Sequence, residues 1–264
     1  MSQFMRSLCK IAIPVTLQSM LQASFSIVDQ LMIGQLGETS IAAVGICGNY
    51  SMLVSVLVSA VGSVAGILIA QFLGAEDRRE AWSSFTVSMV LCGIIAVLFA
   101  TASLGAPGWI LGLYTRDAAI LGTGCGYLRC IAGTFLPMGI STVLSVWLRC
   151  REHATATLVA SLCAVAANTV GNYLLIFGKM GVPALGITGA GIATLGSQLL
   201  NLLILAVRFV RCLYKDADRM QLSLHFEKLN GKEYLLMICP ILISEFLWSL
   251  GQNVESAVYG HLGT

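Results

Sequence analysis

Residues 39–75 read TSIAAVGICGNYSMLVSVLVSAVGSVAGILIAQFLGA, without a single Asp, Glu, Lys or Arg. A helix that crosses a bilayer needs roughly 20 apolar residues, so this run alone is long enough to span one. Working outward, further charge-free runs cover 81–115, 130–148, 154–178 and 180–207. The chain is 57% hydrophobic and 11% charged, whereas an ordinary soluble domain carries about 25% charged residues. Water is a poor solvent for such a surface. The pattern therefore predicts an all-α membrane protein.

Seven spans are expected, at about 8–33, 45–72, 84–106, 121–148, 155–177, 187–208 and 235–258. The first, from Leu8 to Ile33, is too long for a signal-peptide core and has no small-residue cleavage site after it. It is read as a retained helix. Turn chemistry separates the spans: Gly34-Gln35-Leu36-Gly37, Gly74 to Arg79, Ala106-Pro107-Gly108, Arg149 to His153, and Gly178 to Pro183. Pro137 falls inside the fourth span and is expected to kink it. Gly62 and Gly66, and the cluster Gly186, Gly189 and Gly191, are placed to let helices approach closely.

The Lys and Arg residues set an orientation. With the N-terminus inside, twelve fall in inside loops, from Arg6 to Lys232. Arg116, Arg129 and Lys179 fall outside. This bias predicts a cytoplasmic N-terminus. It also predicts a cytoplasmic loop at 209–233, with the cell (plasma or inner) membrane as location.

The domain plan is a six-helix lobe at 1–208, the inter-lobe loop at 209–233, and a further helix at 234–264. The net charge of +2 and the absence of a basic face argue against nucleic acid as a partner. The nine cysteines are scattered, with no metal-ligand spacing, and read as apolar packing residues. Without a metal cluster or a nucleophile–base motif, neither an enzyme nor a cofactor is expected.

The seventh span repeats the first. At an offset of 226 residues, Pro14 falls on Pro240, Leu21 on Leu247 and Val28 on Val254. Gly34, Leu36 and Gly37 fall on Gly260, Leu262 and Gly263, and Asp29 falls on Glu255. Both copies would start on the same membrane side, as in parallel six-helix transporter repeats. The expectation is a first lobe, plus the first helix of a second, in a protein of about twelve helices. The rest of the C-terminal lobe would then be the partner of this chain. A natural seven-helix protein is the competing reading.

Three acids lie well inside apolar spans: Asp29, Glu245 and Glu255. A buried carboxylate costs about 2.5–3.5 kcal/mol or more, so each is a functional candidate. At about 100° per residue, Gln18, Gln22 and Asp29 fall within about 40° of one another. That stripe suits a cavity wall, or a protonated carboxyl bonded to a neighbouring helix. Asn168 and Asn172 share a face of the fifth span, and Thr194, Gln198 and Asn201 share a face of the sixth. From the residues alone, the two amides serve equally as interhelical glue or as a site.

Several motifs occur in order. The first is Pro14, Gln22, Asp29, Gly34 and Gly37, followed by Ile41-Ala42-Ala43-Val44-Gly45. The second is Gln71-Phe72-Leu73-Gly74-Ala75 with Asp77 and Ala81, and the third is Tyr127-Leu128-Arg129 with Pro137 beyond. The fourth runs from Asn168 and Asn172 into Tyr173-Leu174-Leu175-Ile176-Phe177-Gly178. It continues as Pro183-Ala184-Leu185-Gly186-Ile187-Thr188-Gly189-Ala190-Gly191-Ile192-Ala193-Thr194. Together they span most of 14–194, and in this order the chain resembles the multidrug and toxic compound extrusion (MATE) family.

The resemblance implies twelve helices in two lobes around a central cavity. It implies export of small organic, often cationic, compounds in exchange for Na+ or H+. It also implies a cation or proton site formed by Asp29 and Gln22 with Asn168, Asn172 and Thr194. Gln18, Gln198, Asn201, Glu245 and Glu255 are secondary candidates. Several family members carry a glutamate where this chain has Trp248. A second cation site therefore has no matching residue, and Glu255 counts only as the mirror of Asp29.

Sodium takes hard oxygen donors, and a proton needs a carboxyl able to hold and release it. The residues are compatible with either ion. Two other functions compete. A flippase for lipid-linked saccharides or precursors would want cavity-facing Arg or Lys, which the spans almost lack. A seven-helix receptor or sensor would need no repeat.

Overall fold

The computed structural model describes residues 3–181, 183–216 and 231–262. The charge-free run 39–75 forms most of the central helix, α2 (Glu38–Gly74). Its buried positions step by three and four: Ala43, Cys47, Tyr50, Val54, Val58, Val61, Ala65 and Ile69. That period is one face of a helix, and it packs against the rest of the bundle. Before it comes α1 (Gln3–Gly34), and after it α3 (Arg78–Gly105), the short α4 (Pro107–Gly112) and α5 (Ala118–Ala132). They are followed by α6 (Phe135–Cys150), α7 (Ala154–Phe177), α8 (Gly186–Asp216) and α9 (Gly231–Leu262). No strand occurs among the described residues.

Four helices, α2, α3, α7 and α8, are each long and apolar enough to cross a membrane. The α5–α6 pair is bent by 41° and counts as a fifth span. The helices α1 and α9 occupy the first and the seventh expected spans. Each has 32 residues, more than the roughly 20 that a bilayer-crossing helix needs. Both also carry polar residues within the helix: Gln18, Gln22, Asp29 and Gln30 in α1, and Glu245, Gln252, Asn253 and Glu255 in α9. Ile94 and Leu98 on α3 and Leu203 on α8 point outward, which suits contact with lipid chains.

The fourth span, expected as one kinked helix, is broken at Gly133–Thr134. Proline clashes with the carbonyl four residues before it, and four residues before Pro137 is Gly133. In consequence Pro137 sits in the first turn of α6, where its missing N–H removes no helical hydrogen bond.

The expected turns have defined chemistry. Gly37 and Gly178 take positive φ of 98° and 66°, which glycine adopts without steric cost. Asp77 caps α3 by accepting from the Glu80 amide at 3.1 Å, and Asp117 caps α5 by accepting from the Ala119 amide at 2.8 Å.

Close packing follows the small residues. A Cβ on Gly62 would lie 2.9 Å from Thr142 Cγ2, and one on Gly66 would lie 3.5 Å from Val146. The two glycines thus seat α2 against α6. The α9 helix lies along α2, and the Tyr114 hydroxyl donates to Asn253 Oδ1 at 2.5 Å.

The segment expected as a loop at 209–233 is helical at both of its described ends. Its first residues continue α8 to Asp216, and its last belong to α9, which starts at Gly231. The reason for the first extension is packing. Phe209 stacks on Phe85 with ring centroids 5.2 Å apart, and Cys212 is buried. Packing both against the bundle favours helix over loop.

Residues 217–230 lie outside the described residues, including Ser223. A single cysteine introduced there, Ser223→Cys in a background without the nine native cysteines, tests the orientation. It is expected to stay unlabelled by an impermeant thiol reagent applied to intact cells. Strong labelling would reverse the topology.

Candidate functional site

The polar stripe of α1 meets α7, and α7 packs along α8. The α7–α8 contact is close because small residues line it. A Cβ on Gly189 would lie 2.6 Å from the Leu175 carbonyl oxygen, and one on Gly171 would lie 3.0 Å from the Ala193 Cβ. At this separation polar side chains of the two helices can touch. Asn168 Nδ2 donates to Thr194 Oγ1 at 3.2 Å. Asn172 Nδ2 donates to Asn168 Oδ1 at 3.3 Å and also to Asp29 Oδ1. Thr194 in turn donates to the Ala190 carbonyl at 2.9 Å. A continuous hydrogen-bonded chain therefore runs from α8 through α7 to the carboxylate on α1.

Beside this chain lies a cavity of about 240 Å³. Gln22, Asp29, Asn168, Thr194, Gln198 and Asn201 line it. Asn172 is fully buried behind Asp29. Gln18 sits one turn away and donates through Nε2 to Ser161 Oγ at 2.6 Å. The structure thus brings together the three helix faces read from the sequence, on α1, α7 and α8. It does not bring in Glu245 or Glu255, which are exposed on α9. Trp248 is also exposed.

Three further lining residues, Ser26, Ser161 and Ser197, were missed in the sequence. Their spacing holds the signal. Ser26 lies four residues after Gln22 and three before Asp29, Ser161 lies seven before Asn168, and Ser197 lies three after Thr194. Serine is common in membrane helices, where it also bonds its own backbone, as Ser197 does to the Thr194 carbonyl at 2.8 Å. Hydroxyls alone therefore do not mark a site.

Three buried side-chain oxygens on these helices, Gln18 Oε1, Asn172 Oδ1 and Asn201 Oδ1, have no hydrogen-bond partner among the described residues. A buried acceptor left unpaired costs about 1–3 kcal/mol. Together with the Asp29 carboxylate and the serine hydroxyls, they make the region rich in hard oxygen donors.

The Asn172 contact can be tested by itself. Asn172→Ala removes the donor to both Asp29 and Asn168. Hydrogen bonds in membrane bundles average about 0.6 kcal/mol and reach about 1.7 kcal/mol, so a loss of roughly 1–3 kcal/mol is expected. Reversible unfolding of the detergent-solubilised chain would measure it. A loss below about 0.3 kcal/mol, half of one average bond, would mean that the contact contributes nothing.

A family model described as MatE matches residues 14–174. The chain belongs to the MatE family. A probable multidrug resistance protein, NorM, of Synechocystis sp. is 30% identical over 98% of this chain and 56% of its own length. The uncharacterized transporter YisQ of Bacillus subtilis is 23% identical over 96% of this chain and 54% of its own length. The chain thus spans about half the length of the curated relatives it matches.

Among solved structures, a MATE protein in complex with MaL6 superposes with a TM-score of 0.80. It is 22% identical and is covered over 53% of its length by 94% of this chain. At that identity the likeness establishes the fold, the all-α bundle expected from the charge-free runs. MatE proteins are membrane transport proteins rather than enzymes, and the matched region contains Asp29, Asn168 and Asn172.

Proposed function

We propose that this chain is the ion-coupling lobe of an exporter in the cell membrane. It would expel small organic, often cationic, compounds in exchange for Na+ or H+. Asp29 would bind the coupling ion or proton, with Gln22, Asn168, Asn172 and Thr194 around it. The observation that carries this reading is the hydrogen-bonded chain from Thr194 through Asn168 and Asn172 to Asp29 beside a polar cavity. The cavity's size supports an ion rather than a drug. Sites for drug-sized ligands occupy roughly 300–1,000 Å³, and this one measures about 240 Å³.

No Lys or Arg lines the cavity among the described residues. A flippase for phosphorylated lipid carriers would need such cations, so the flippase reading is not favoured. The organic substrate would bind between this lobe and a second one, since alternating access rocks two lobes about a shared site. The multidrug resistance relatives and the repeat of the first span in the seventh support that arrangement.

The test is transport by a two-lobe protein that contains this lobe. Efflux of a fluorescent organic cation from vesicles is expected under an imposed sodium or proton gradient, and not without either. Efflux indifferent to both gradients would rule the reading out.

A further inference from the structure

A second cavity, of about 550 Å³, lies where α6, α7 and α8 end on one side of the bundle. It falls within the roughly 300–1,000 Å³ of small-molecule sites. Its walls come from the α6–α7 turn and the last turns of α8. Leu148 lines it from the end of α6, Glu152 and His153 from the turn, and Arg208, Arg211 and Tyr214 from α8.

These residues mark a membrane edge. The charge-free run of α6 ends at Leu148, that of α7 begins at Ala154, and that of α8 ends at Val207. All three runs therefore leave the hydrocarbon at the level of this cavity. By the Lys/Arg bias, that level is the cytoplasmic interface.

Neither Arg208 nor Arg211 has a carboxylate partner among the described residues, and both are exposed. Their positions are fixed all the same. Phe209, between them, stacks at 5.2 Å on Phe85, which meets Trp147 at 5.1 Å. Tyr214 is 79% exposed, with the amphipathic character of a side chain at the headgroup level.

We propose that this cavity binds the headgroup of an anionic phospholipid of the cytoplasmic leaflet, of the phosphoglycerol class. Basic pockets between helices on this side of a membrane suit such headgroups. The two guanidiniums match a phosphodiester, since each can hold two of its oxygens. Leu148 and Ala156 add apolar lining to the same cavity. The Glu152 carboxylate faces the same cavity. It repels a bare phosphate but accepts hydrogen bonds from headgroup hydroxyls, which favours a polyol headgroup over a free anion.

The experiment is native mass spectrometry of the 264-residue chain in neutral detergent, with added phosphatidylglycerol or phosphatidylcholine. The phosphatidylglycerol adduct is expected to dominate, and millimolar inorganic phosphate is expected to leave it in place. The double substitution Arg208→Gln with Arg211→Gln should weaken retention roughly 30-fold. That equals about 2 kcal/mol at 1.4 kcal/mol per factor of ten, or about 1 kcal/mol for each Arg near an anionic surface. Replacing both with Lys, which keeps the charge but not the paired hydrogen bonds, should restore only part of the preference.

Equal retention of the two lipids would overturn the proposal. So would an unchanged preference in the double Gln variant, or displacement by inorganic phosphate. If the Gln pair does not fold, the lipid preference and the phosphate competition of the unsubstituted chain decide.

Discussion

Asp29→Asn, in a two-lobe protein carrying this lobe, is expected to insert normally and to lose ion-driven export down to the level of protein-free vesicles. The amide nearly matches the carboxylate in size. Its Oδ1 can still accept from Asn172 Nδ2, a contact that ties α1 to α7. Burying a charge near the middle of a membrane costs about 2.5–3.5 kcal/mol on insertion scales, and an amide avoids it. Stability should therefore hold or rise.

What the amide lacks is the negative charge that a sodium ion needs and the site that a proton occupies. The measurement is efflux of a fluorescent organic cation under a sodium gradient and, separately, under a proton gradient, normalised to protein in the membrane. Near-normal efflux under both would make Asp29 a structural residue and remove the basis of the proposed mechanism. Loss under one gradient alone would identify the coupling ion.

The second large effect is steric. Gly189→Val should pry α7 from α8 and take export with it. Even the first added carbon would lie 2.6 Å from the Leu175 carbonyl oxygen. That oxygen is backbone and already accepts from the Leu185 amide at 2.9 Å, so it cannot swing aside as a side-chain tip would. Overpacking of this kind costs about 1–3 kcal/mol in a packed core. The valine adds two more methyl groups to the same gap.

Separation of the helices would stretch the Asn168–Thr194 hydrogen bond, now 3.2 Å, and break the chain that ends on Asp29. The control is Gly196→Ala on the same helix, where an added Cβ meets nothing within 4 Å. The valine variant is expected to melt earlier and export little, and the alanine control is expected to match the unsubstituted protein. Equal behaviour of the two would mean that the close approach at Gly189 does not set the site.

Much of this was legible in the residues. Charge-free runs of the length of 39–75 have few alternatives to a membrane helix, because a bilayer has a fixed thickness and every backbone amide inside it needs a partner. The faces were legible for a similar reason. Helical periodicity is local, so Gln22 and Asp29, or Asn168 and Asn172, share a face whatever surrounds them.

The tertiary structure alone decided which faces meet. That α1 packs along α7, so that Asp29 meets Asn172, depends on long-range packing that no local pattern encodes. The same holds for Asp29 and Glu255. They are equivalent in the repeat, yet among the described residues Asp29 finds amides opposite it, while Glu255 is exposed on α9. The break before Pro137 fell four residues upstream because a proline displaces the carbonyl of the preceding turn. The α8 helix ran past its expected end because Phe209 had aromatic rings to stack on. Each of these outcomes turns on atoms from a distant part of the chain coming within a few ångströms, whereas periodicity and hydrophobicity describe each helix by itself.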